Sequence, residues 1–313
     1  MIPTEEKSAA KGFGQEIGIS ACFFFIILWN LPLYADPVRV FVSITPQKYF
    51  VEKVGGNLVR VSILVPKGAD PHTYEPKPQQ MIELSKTDLY FAIGIDFEKA
   101  WLTKIAATNP KMHIVHTESG ISKIPMASHL DAHTGGHEQT PKMHHHRQDA
   151  LDPHIWLSPP LVKIQANYIM NALAAVDPKN EERYQALYFN FLKELDVLDN
   201  ELKVWFEDCK GMPLIVFHPS WGYFARAYGL KQMPIQMEGK APKPAQIRDL
   251  IGFARKNDVK VIFAQPQISA KIVETMAREI GGRVVLVDPL ALDWADNLRD
   301  VARKFKEVVT VNK

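Results

Sequence analysis

Residues 177–211 read DPKNEERYQALYFNFLKELDVLDNELKVWFEDCKG. Tyr184, Leu187, Phe191, Leu195, Leu198 and Leu202 recur at three- and four-residue spacing, which puts them on one face of a helix, and Gly211 is its stop signal. At 1.5 Å per residue, some thirty helical residues would span roughly 45 Å. A helix far longer than the usual three turns suits a strut between two bodies better than a core element of one.

On both sides of this helix, short β-branched runs alternate with helical patterns. Before it, 38–44 (VRVFVSI), 58–66 (LVRVSILVP), 89–94 (LYFAIG) and 113–116 (HIVH) read as strands, separated by segments such as PQQMIELSKTD and FEKAWLTKIAAT. After it, 213–218, 232–237, 259–265 and 283–288 alternate with four helical patterns, the last starting near Asp293. Alternation of this kind marks parallel sheets covered by helices. The expected fold class is therefore α/β: two small α/β lobes with mainly parallel sheets, joined by a long rigid helix, with any site in the interlobe cleft. The expected divisions are an N-terminal lobe at 36–177, an interdomain helix at 178–210 and a C-terminal lobe at 211–313.

The first 35 residues stand apart. An apolar run from Ile17 to Trp29 is followed by Leu33-Tyr34-Ala35, which reads as a secretory signal peptide cut near Ala35, with an uncleaved membrane anchor as the alternative. Either reading exports the remainder. Most of the apolar stretch follows Cys22, whereas a lipidated cysteine should follow its apolar stretch, a poor fit to a lipidation site. Removing the leader leaves Cys209 as the one thiol, so no intramolecular disulfide is expected. The formal charge of +2 over 313 residues, with no basic stripe, speaks against nucleic acid as a partner.

Seven of the eleven histidines fall between His129 and Pro159. Within 127–150, His129, His133, His137, His144, His145 and His146 are interspersed with Gly, Pro, Gln and Thr and no apolar periodicity. Such a segment has nothing to bury, and it is expected to be a loop inserted in the first lobe. His154 differs, because the ordered-looking DPHIWLSP surrounds it.

Ligands in open α/β sheets bind outside the carboxyl ends of the strands. Four potential metal ligands fall there: His72 in GADPHTYEP, His154 in DPHIWLSP, His218 at the end of PLIVFH and Asp288 at the end of RVVLVD. Any one alone could be a hydrogen-bonded histidine or a turn cap, and Asp70 and Asp152 before the first two could be turn residues. Their joint placement, two in each half, points to one site assembled by tertiary structure. Three imidazoles and a carboxylate suit Zn²⁺ in four-coordinate geometry.

Together GADPHTYEP, DPHIWLSP, FHPSWGYFARAYGL and VDPL resemble the metal-binding proteins of ABC importers for zinc and manganese, a cluster that includes the zinc importer's periplasmic binding protein, over nearly all of 37–309. The resemblance implies a periplasmic carrier, expected to be monomeric, that delivers its metal to a membrane permease driven by a cytoplasmic ATPase. By the same resemblance His72, His154 and His218 occupy the three ligand positions and Asp288 the fourth used by many members. Manganese-preferring relatives carry Glu where this chain has His218, so zinc is expected over manganese or iron. The six loop histidines are an accessory cluster typical of zinc members.

Because neutral imidazoles bind the metal, affinity is expected to fall between about pH 7 and 5. A zinc hydrolase is the rival reading, yet H-E-x-x-H is absent and Pro219 fits a nucleophile elbow at Ser220 poorly. An adhesive surface protein with a structural metal is the other.

Overall fold

The computed structural model describes residues 36–126, 151–236, 244–256, 259–267 and 270–311. Residues 1–35, expected to be a signal peptide, and the histidines of 127–150 lie outside the described residues. The first sheet holds β1 (Val38–Val42), β2 (Val59–Ile63), β3 (Leu89–Ala92) and β4 (His113–His116) in the order β2-β1-β3-β4, all parallel. The second holds β5 (Pro213–Val216), β6 (Lys231–Pro234), β7 (Val261–Ala264) and β8 (Arg283–Leu286) in the order β6-β5-β7-β8, also all parallel. Both halves thus repeat one topology, with the strand carboxyl ends of each sheet on a single edge.

Nearly every strand stops one to three residues short of its apolar run. The ladders end with single rungs such as Ile235 N to Val216 O and Val287 N to Ala264 O, both 2.9 Å, and the chain then splays into loops. His218 and Asp288 consequently sit two residues beyond their strands instead of terminating them.

Helices α1 (Thr45–Gly55), α2 (Pro78–Leu84) and α3 (Asp96–Thr108) connect the first sheet. α4 (Pro159–Val176) precedes α5 (Glu181–Trp205), and α6 (Gly222–Tyr228), α7 (Pro244–Lys256), α8 (Ala270–Glu279) and α9 (Trp294–Val311) surround the second sheet. The long helix α5 has 25 residues, shorter than the thirty its pattern suggested, and spans about 37 Å at 1.5 Å per residue. A separate turn at Pro178–Asn180 precedes it and another at Glu207–Cys209 follows. Asp177 Oδ2 holds the helix start by accepting from the Tyr184 hydroxyl at 2.9 Å.

Of the apolar stripe, Tyr184, Phe191, Leu195, Leu198 and Leu202 are buried, and Leu187 is half-buried where it passes Gly56. α5 packs on α1 and α4 and also on α9, and ion pairs fasten it at Lys53–Glu194 (2.6 Å) and Arg299–Glu201 (2.7 Å). One continuous apolar cluster results, running from Phe50 and Phe91 through Phe191 to Trp294, Phe305 and Phe263. The second sheet shows why it joins that cluster. Leu214 and Val216 of β5 and Val261 and Phe263 of β7 face the shared core, while the alternating Ile215, Phe217, Ile262 and Ala264 form a smaller cluster under α8. The halves therefore do not have wholly separate cores, because the strut is itself core to both.

Candidate metal centre

The Asp-Pro-His sequences at 70–72 and 152–154 form the same turn. Each aspartate accepts the backbone N–H of the histidine two residues on, at 2.9 Å in both cases. Proline between them removes a competing donor and fixes φ. The turns bring His72 after β2 and His154 before α4 together, where His218 arrives from the loop after β5. The three ring centroids lie 5.1 to 5.5 Å apart, and one ligand atom from each ring lies within 4.8 Å of the others.

Each ring has a partner on its far nitrogen. His154 Nδ1 is 2.7 Å from Asp152 Oδ1, His72 Nδ1 is 3.1 Å from Asp96 Oδ2, and His218 Nδ1 is 3.1 Å from Gln236 Oε1. Carboxylate and amide oxygens only accept, so with Asp152, Asp96 and Gln236 Oε1 as partners the Nδ1–H tautomer is selected and the Nε2 lone pair is left free. His154 Nε2 and His218 Nε2 approach to 3.3 Å. As two acceptors these atoms repel, and a cation between them turns the repulsion into two bonds. Zn–N bonds of about 2.0–2.1 Å in a tetrahedron require an edge of about 3.3–3.4 Å, which this pair already has.

His154 and His218 are buried, at 3% and 7% exposed, whereas the His72 side chain is 19% exposed and forms the open side. Burial lowers the His154 pKa against the opposing pull of Asp152. Burial, followed by the neighbouring His154 and His72, holds His218 well below the usual histidine value. Both rings are thus kept neutral, the form that binds metal. The Asp96 carboxyl is held far below the ordinary carboxylate range by its hydrogen bond with His72 and, after the opposing effect of burial, by Lys99.

Asp288 is not among the three residues whose ligand atoms converge. Its Oδ1 accepts from Leu290 N–H at 2.9 Å and from the Gln267 amide at 3.1 Å, the turn-capping arrangement its sequence context also allows. It stays close in sequence to the interlobe tie, for Trp156 Nε1 donates to Pro289 O at 2.7 Å and Trp294 Nε1 to Trp156 O at 2.8 Å. His129, His133, His137, His144, His145 and His146 lie outside the described residues, but the roots of their segment are paired by a Pro125–Leu151 bridge.

Sequence reading missed Asp96 and Gln236. Asp96 follows β3 at the same sheet edge as His72, so the strand-end rule could have found it. Gln236 carried no signal, because an amide in a loop has no distinguishing spacing.

The chain is similar to the high-affinity zinc uptake system protein ZnuA of Bacillus subtilis (strain 168), 27% identical over 283 residues that cover 87% of this chain and 86% of that protein. A crystal structure of ZnuA matches with a TM-score of 0.78 and 44% identity, covering 88% of this chain and 100% of the other. The structure of a ZnuA deletion mutant with zinc bound matches with a TM-score of 0.78 and 44% identity over 87% of this chain and 98% of the other. The sequence model of zinc-uptake complex component A, periplasmic, matches residues 40–308, and the chain belongs to that ZnuA family.

Proposed function

We propose that this protein captures Zn²⁺ outside the cytoplasm and delivers it to the permease of an ABC importer powered by a cytoplasmic ATPase. One observation carries the choice of metal: three imidazoles converge while their Nδ1 atoms are all engaged by acceptors. Nitrogen ligands of this softness favour zinc over manganese or magnesium, which prefer oxygen. His72, His154 and His218 are the ligands in this reading. Asp288 is the candidate for the fourth position, which a water takes if Asp288 keeps its bonds to Leu290 and Gln267. The periplasm is the expected compartment and a monomer the expected state. No helix among the described residues is long and apolar enough to cross a membrane.

The cargo must be releasable, so the fold should not depend on it. The shared core along α5 is built without any metal ligand, and chelation is expected to leave the protein folded. Competition titration with a chromophoric chelator, with manganese in parallel, tests the assignment. One tight zinc site and a much weaker manganese site are expected, together with a cooperative melting transition after chelation. Tighter manganese than zinc binding would reverse the choice of metal, and unfolding on chelation would make the metal structural.

A further inference from the structure

The segment FHPSWGYF at 217–224 supplies His218 to the cluster, and two further residues of it, Gly222 and Tyr223, open α6. They touch Asp152. The Tyr223 hydroxyl donates to the Asp152 carbonyl at 2.8 Å and accepts from Ile124 N–H at 3.1 Å. Those two chains are also bonded to each other, Asp152 N–H to Ile124 O at 2.8 Å, beside the Pro125–Leu151 bridge. One buried phenol thus uses both of its hydrogen-bonding capacities to fasten the two strands of a neck to the second half of the molecule. At Gly222, a Cβ would lie 2.6 Å from Asp152 Oδ2, closer than carbon and oxygen can pack. Only glycine lets this fully buried carboxylate rest against the start of α6.

We propose that Gly222 and Tyr223 are positioning residues for the metal site: they fix Asp152, and through it the Nδ1–H tautomer and aim of His154. The inference rests on the zinc reading above for its consequence, though not for its geometry. Asp152 is held at every polar backbone atom, by Ile124 at its N–H and Tyr223 at its carbonyl. Its Oδ1 accepts both the N–H and the ring Nδ1–H of His154, at 2.9 and 2.7 Å. Its Oδ2 has no hydrogen-bond partner among the described residues and is confined by Gly222. Displacing the carboxylate would free His154 to adopt the other tautomer, which points a hydrogen at the shared metal position.

The placement has a further consequence. His218 and the two residues that brace the support of His154 lie on one short segment, four and five positions apart. His218 and the brace of His154 are thus joined through one stretch of chain, and the Nε2 atoms of the two rings lie 3.3 Å apart.

The experiment is a double-mutant cycle on the exported protein, read by zinc competition and by long-range ¹⁵N correlation of the His154 ring in the apo form. Gly222→Ala and Tyr223→Phe are each combined with Asp152→Ala. Each single change is expected to weaken zinc about tenfold, the lower end of the range for outer-shell support, and to mix the His154 tautomers. In the Asp152→Ala background neither should weaken it by more than about twofold further, since groups acting through one residue are not additive. Unchanged affinity and tautomer in both variants, or full additivity with Asp152→Ala, would overturn the inference. Tyr223→Phe removes a single oxygen and decides the matter if Gly222→Ala does not fold. Absence of zinc binding in the unsubstituted protein would instead overturn the functional reading, and the apo tautomer would still decide this one.

Discussion

Asp70-Pro71-His72 and Asp152-Pro153-His154 are the same tripeptide and form the same backbone turn, yet the two rings are supported differently. At 152–154 a single carboxylate holds both the backbone and the ring of its own histidine. At 70–72 the aspartate holds only the backbone, and the ring turns to Asp96 at the start of α3. The environments differ as well, for the Asp152 side chain is 1% exposed and Asp96 is 52% exposed. Local sequence therefore makes the turn, and the surrounding packing assigns the partner. The His154 ring belongs to a dry wall and the His72 ring to an accessible rim, a division that suits the proposed capture of a cation.

The largest test of this division removes the rings. His154→Ala should weaken zinc more than about a hundredfold, beyond what outer-shell changes produce. His72→Ala should cost less, because water can reach the exposed rim and replace the lost nitrogen. Competition titration of the two variants side by side measures the ratio, and an equal loss would erase the distinction between wall and rim.

Next in size are the aspartates. Asp152→Ala is expected to weaken zinc about a hundredfold and Asp96→Ala about tenfold, the two ends of the outer-shell range. Asp70→Ala, at the position equivalent to Asp152, should leave affinity within about twofold. A large loss at Asp70 would mean that the turn, and not the ring partner, controls the ligand.

The buried wall also changes the expected response to acid. Burial lowers the pKa of His154 and His218, so these rings should titrate by NMR below the unperturbed value of about 6.5 in the apo protein. Zinc binding should accordingly persist to lower pH than three free histidines would allow, which moves the onset of loss downward from the interval between about pH 7 and 5 expected from composition. The sign for stability follows from the same shifts. As pH falls below about 6.5 the unfolded chain takes up protons that the folded rings refuse, so the melting temperature of the apo protein should drop. Titration of both rings at or above that value would contradict the burial effect.

The smallest effect is expected at Asp288. With its Oδ1 already engaged by Leu290 and Gln267, Asp288→Asn should change zinc affinity by only about threefold if water takes the fourth position, well under the outer-shell range. A loss comparable to that of His72→Ala would place Asp288 among the ligands.

Much of this is legible in the sequence. Alternating strand and helix patterns gave both parallel sheets, the Tyr184-to-Leu202 stripe gave α5, and the strand-end rule found His72 and His218, whereas His154, chosen with them, comes from the segment before α4 and Asp288 does not join the cluster. The losses have specific causes. Strand runs overshot because apolar residues continue past the last ladder rung into the loops. α5 was overestimated because Pro178 and the turn at Glu207–Cys209 interrupt a pattern whose polarity does not change. The core shared by both halves was invisible because periodicity states that a face is buried but not against what.

The sequence by itself determined the elements, the Asp-Pro-His turns and the residue types able to bind zinc, since these depend on spacing within a few residues. Only the tertiary structure decided which oxygen each imidazole faces, which rings are dry, and that Asp288 spends Oδ1 on its own turn. Tautomer, desolvation and a 3.3 Å separation of nitrogens are properties of groups brought together from distant positions, and no local pattern encodes a distance between chains that meet only when both halves have folded.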